Sequence, residues 1–108
     1  MALRYAKGSK VPKFGITVIN DTDYIYWSGI TMYWELINTY HSDILGSETF
    51  ESAEWRFRNM ESNLSWFIKD AYILEARGSE ENREALKRLV SVAYFMLEQA
   101  AEHTHSLK

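Results

Sequence analysis

From residue 50 to residue 77 apolar and polar positions alternate with a single unbroken helical period. Phe50, Ala53, Phe57, Met60, Leu64, Phe67, Ile68, Ala71 and Leu74 recur at spacings of three and four, with no Gly or Pro among them. One long amphipathic helix is predicted here. Gly78 stops it and Arg77 suits its negative end. Ser47 or Thr49 can cap its start, where Glu48, Glu51 and Glu54 face the positive end of the dipole.

The same period is present on either side. Ile30, Tyr33, Trp34, Ile37, His41, Ile44 and Leu45 form one stripe, and Thr31, Glu35, Asn38, Thr39 and Ser42 form the wet stripe opposite. This predicts a helix over residues 30–45, closed by Gly46 as a C′ glycine. After Ser79, an N-cap, residues 80–103 place Leu86, Leu89, Val90, Ala93, Met96, Leu97 and Ala100 on one face. Val92 and Phe95 add a second apolar side, which must be sandwiched or meet a partner. The last residues, 102–108, are expected to fray.

Toward the N-terminus the helical pattern is lost. Residues 14–19 are rich in β-branched side chains and run into the turn-prone residues 20–23, which reads as a strand. Residues 24–27 can pair with it as a β-hairpin. The rival reading starts a helix at Asp21 or Asp23. The hairpin is preferred because Ser28 and Gly29 interrupt the segment where a helix must continue. Residues 1–13, broken by Gly8, Ser9 and Pro12, read as a flexible basic arm, followed by a single helical domain over 14–108. The fold class is therefore mainly α, an antiparallel helical hairpin or three-helix bundle with a short N-terminal strand or β-hairpin.

Length sharpens the picture. A 28-residue helix spans about 42 Å, whereas a compact domain of this size has a radius of gyration near 13 Å. The long helix must kink, protrude or be completed by a second subunit, and a homodimer is one expectation.

Composition narrows the chemistry. The chain has 108 residues, net charge −3, no Cys, and 15% aromatics including four Trp. Without Cys there are no disulfides or thiolate sites, as suits a reducing, cytoplasmic setting. The N-terminus lacks the apolar core of a secretory signal, and no apolar run reaches the roughly 18 residues of a membrane span. The expectation is a small soluble domain with no membrane association.

Three constellations offer function. Trp55, Arg56, Arg58, Asn59 and Trp66 lie on or beside the stripe Ser52, Arg56, Asn59, Asn63, Trp66 and Asp70, away from the core face. Trp27 adds a second aromatic cluster with Tyr24 and Tyr26. Trp and Arg are the side chains that anchor protein interfaces, so Trp27, Trp55, Arg56, Arg58, Asn59 and Trp66 are the candidate contact residues. They predict a non-catalytic regulator, adaptor or inhibitor that docks on another protein and uses no cofactor. A nucleic-acid-binding accessory protein is the alternative, with Arg4, Lys7, Lys10 and Lys13 meeting phosphates. The acidic remainder of the chain weighs against it. A metal-dependent helical-bundle enzyme is the third reading. An antiparallel arrangement places Glu54 level with Glu102 and Glu51 level with His105, and His41 near Ala53, so one end gathers His41, Glu54 and Glu102. The ExxE pairs Glu51/Glu54 and Glu81/Glu84 start their helices at opposite ends and do not converge within one hairpin. No Gly-rich phosphate loop and no nucleophile elbow is present.

Overall fold

A computed structural model of the chain describes residues 10–11, 16–17, 23–77 and 80–108. Three helices dominate: α1 over Asp23–Leu45, α2 over Phe50–Arg77 and α3 over Glu80–Ser106. They pack as a bundle about one hydrophobic cluster. The α1–α2 seam is the most extensive, α2–α3 follows, and α1 and α3 touch least.

The long helix has the expected bounds, and its periodic stripe is the core face. Ala53, Met60, Leu64, Phe67, Ala71 and Leu74 are buried, with Phe57 and Ile68 packed at their edge. Trp34 of α1 stacks obliquely on Phe67, ring centroids 5.6 Å apart. From α3, Ala85, Leu86, Ala93, Met96 and Ala100 close the third side. Small residues at 85, 93 and 100 leave room for the large side chains of α1 and α2, as close packing requires.

The expected hairpin is corrected. Residues 24–27 belong to α1, which begins at Asp23 and runs through Ser28 and Gly29 without a break. The tertiary contact outweighs the local signal. Trp27, Ile30, Trp34, Ile37 and Ile44 continue one buried stripe, and Trp27 and Ile30 have no exposed surface. Gly29 costs about 1 kcal/mol relative to Ala in a helix interior, far less than burying an indole returns. Polar side chains on α1 fold back on their own helix: Thr31 Oγ1 donates to the Trp27 carbonyl at 2.9 Å, and Thr39 Oγ1 to that of Glu35 at 2.9 Å. Thr31, assigned to the wet stripe, is thus buried with its hydroxyl satisfied. Of the expected strand over 14–19, only Ile16–Thr17 is described, in a two-residue antiparallel pairing with Lys10–Val11. The remainder of that strand, and of the basic arm, lies outside the described residues.

The α1–α2 turn has its expected punctuation with one difference. Thr49 is the N-cap of α2, its Oγ1 accepting from the Ser52 amide at 3.3 Å. Gly46 follows α1 but lies outside the left-handed region. Its amide donates to the Ser42 carbonyl, and the Ser47 amide to that of Ile44, so the helix closes through a tightened last turn.

The end of α3 does not fray at residue 103. It stays helical to Ser106 because side chains fasten it: His103 Nε2 donates to the Ser47 carbonyl at 3.0 Å, Thr104 is buried, and Leu107 packs on the core. The Lys108 ammonium lies 5.4 Å from the centre of the Phe50 ring.

The length problem resolves within one chain. The molecule measures 47 × 27 × 20 Å with a radius of gyration of 15.1 Å. Three helices of similar length run side by side, so α2 fits the long axis of an elongated bundle. No helix among the described residues is long and apolar enough to cross a membrane.

Candidate protein-docking surface

The core stripe of α2 leaves the opposite face of that helix to solvent. Trp55 and Trp66 sit there, 61% and 53% exposed. Eleven residues are three turns plus about 20°, so both rings share one face, about 16 Å apart along the axis. A cation lies over each: the Arg56 guanidinium 5.8 Å from the Trp55 centroid, and the Lys69 ammonium 5.0 Å from the Trp66 centroid.

The polar residues between the rings are committed locally. Asn59 Nδ2 donates to the Trp55 carbonyl at 2.8 Å, and Asn63 Nδ2 to the Asn59 carbonyl at 2.8 Å. Arg56 donates to the carbonyl and hydroxyl oxygens of Ser52. Arg58 pairs with Glu54 at 3.2 Å on the exposed surface, a contact worth at most about 0.5 kcal/mol. With these groups turned back along the helix, the indoles are the prominent features of the face. Tyr72 on α2, and Val92, Tyr94 and Phe95 on α3, are the other large exposed apolar residues of these helices.

Trp55, Arg56, Arg58 and Asn59 are on α2 with Trp66, but the two arginines diverge: Arg56 lines a cleft with the α1–α2 loop and Arg58 one with α3. Trp27 is not on that helix: it is fully buried in the α1 core stripe. Tyr26 likewise packs against the core. Their helical spacing with Ile30 and Trp34 was the available signal, obscured by reading Ser28 and Gly29 as a break.

The three residues of the metal reading are drawn apart. His41 Nε2 donates to Gln99 Oε1 at 3.0 Å, which occupies the ring between α1 and α3. Glu54 lies on the α2–α3 side, where it lines an open cleft of about 420 Å³ with Phe50, Phe57, Arg58, His105 and Lys108. Glu102 is exposed. Among the described residues no three His, Asp or Glu side chains converge on a point. Of the basic arm, Arg4, Lys7 and Lys13 lie outside the described residues, and Lys10 is placed only by its backbone pairing.

One residue of the outward stripe has a role that spacing alone could not show. Asp70 is half-buried, and burial holds its carboxyl above the usual carboxylate range, partly offset by the charge of Lys69. It lies against α1 at Gly29.

No protein-family model matches this chain, nor does any characterised protein or solved structure. The functional reading rests on the geometry of the chain itself.

Proposed function

We propose that the protein is a non-catalytic interaction module, an adaptor, regulator or inhibitor that docks on another protein through the outer face of α2. The carrying observation is the pair of indoles more than half exposed on one helix face, while Trp27 and Trp34 are buried. A Trp side chain offers 150–250 Å² for burial. Each exposed ring therefore leaves on the order of 130 Å² in water, about 3 kcal/mol of burial that only a partner can recover. Rigid aromatic anchors with Arg beside them match the composition of interface hot spots. Trp55, Trp66 and Asn59 form the contact surface, with Arg56 and Arg58 at its two margins, and Trp27 supports it from the core.

The test places a photo-crosslinking amino acid at position 62, exposed between the two indoles, with position 43 on the α1 end as control. Irradiation in extract of the source cells should give one discrete adduct from position 62 and none from position 43, and Trp55→Ala in the same chain should abolish it. An adduct whose mass is that of a second copy assigns the face to self-association. Equal labelling from both positions would overturn the docking surface.

A further inference from the structure

Two locally unfavourable choices meet at one point of the α1–α2 seam. Gly29 stands in the interior of a 23-residue helix, where it costs about 1 kcal/mol relative to Ala. Opposite it on α2 is Asp70. A Cβ at Gly29 would lie 2.7 Å from Asp70 Oδ2 and 3.8 Å from its Cγ, so glycine is what lets the carboxylate rest against the α1 backbone. The ring of Tyr33, whose Cε2 lies 3.8 Å from the same position, bounds the site along α1.

Among the described residues no donor reaches the carboxylate there. Thr31, Asn38, Thr39, Asn59 and Asn63 satisfy themselves by donating to carbonyls one turn back. A carboxylate has nothing to donate and needs a donor brought to it. Lys69, its neighbour in sequence, places its ammonium over the Trp66 ring instead. Among the described residues Asp70 has neither a hydrogen-bond nor an ion-pair partner. A half-buried acceptor without a donor destabilises the free protein. Locally poor choices of this kind concentrate where function requires them. Asp70 also lies one turn beyond Trp66, so the two share the exposed ridge.

We propose that Asp70 is the specificity element of this ridge: it receives an arginine or lysine side chain of the partner protein, seated beside the Trp66 indole. This rests on the docking reading above and adds the partner's chemistry to it. A guanidinium fits best, since it can pair with the carboxylate edge and stack on an indole. Charge complementarity argues for a basic protein segment over a second copy, because this chain is itself acidic, with net charge −3. The cations of its own ridge are already held by Trp55, Trp66 and Glu54. A nucleic acid would bring phosphate against the carboxylate and be repelled.

The experiment is a display selection of random dodecapeptides on the whole folded protein, run in parallel on wild type, Asp70→Asn and Trp66→Ala, with the selected peptides synthesised and titrated. Wild type should enrich peptides carrying Arg or Lys next to an apolar residue. Asp70→Asn should bind them about tenfold or more weakly while melting at a higher temperature than wild type. A purely structural Asp70 gives the reverse: lower melting temperature and unchanged binding. Peptides without basic residues, or binding unaffected by Asp70→Asn but lost in Trp66→Ala, would overturn the role of Asp70 and leave the docking ridge standing. Peptides that bind Trp66→Ala as well as wild type, or no enrichment at all, would overturn the ridge and this proposal with it.

Discussion

Truncating two tryptophans of the same chain should give unequal losses of stability, and the contrast tests the surface directly. Trp27 is 0% exposed, wedged in the α1 face that meets the rest of the bundle. Replacing it by Ala removes burial and leaves a cavity, at a cost of about 3–5 kcal/mol. Trp66 is 53% exposed, and Lys69 of its own helix lies over its ring. Its truncation forfeits the buried half of the side chain, with no enclosed cavity left behind, and a cation–π contact, together about 2 kcal/mol. An unfolding entropy of about 2.1 cal/mol/K per residue gives roughly 0.23 kcal/mol per degree for 108 residues. Trp27→Ala should therefore lower Tm by roughly 13–22 °C, and Trp66→Ala by no more than about 9 °C. Circular dichroism of the helical signal during heating measures both. Since a domain of this size has only about 5–15 kcal/mol of total stability, Trp27→Ala is measured also by urea titration, where a partly unfolded start is visible. A loss in Trp66→Ala comparable to that in Trp27→Ala would place Trp66 in the core and refute the docking face.

Asp70 gives a pH prediction whose sign is fixed by its burial. The folded state raises its pKa, so folding favours the protonated form. That contribution is fully present below the unfolded pKa and is lost as pH rises through the folded value. Stability measured by urea unfolding should fall over that interval in wild type, and Asp70→Asn should remove the fall and be the more stable protein at neutral pH. Gly29→Ala should be coupled to Asp70. In an Asp70→Ala background it gains up to about 1 kcal/mol of helix propensity, whereas beside Asp70 the new methyl displaces the carboxylate, so a double-mutant cycle should show non-additivity. Thr49→Ala should cost about 1 kcal/mol through loss of the α2 cap and be restored by Thr49→Ser. His103→Ala should lose about 1 kcal/mol and speed amide exchange in the last turns of α3, because the bond to the Ser47 carbonyl goes.

Most of the fold lies in local periodicity. The bounds of α2, the start of α3 and the buried stripes of both follow from the 3.6-residue repeat, from Gly78 and from Thr49, all of which act within a few residues of chain. Trp55, Asn59 and Trp66 could be set on the outer face of α2 because the same repeat that buries Leu64 and Phe67 turns them away. What periodicity could not supply was any relation between helices. Gly29 reads as a break until the burial of Trp27 and Ile30 against the other helices is counted, and only then does α1 extend back to Asp23. His41 could be set level with the other residues at that end of the bundle. The rotation of α3 about its own axis decides that it meets Gln99, while Glu54 faces the α2–α3 cleft. The C-terminal turns look free to fray until His103 reaches the α1–α2 loop. Local spacing determines which side of a helix is apolar. Which side chains meet across a seam depends on helix rotation and offset, and those are set by packing the whole core at once.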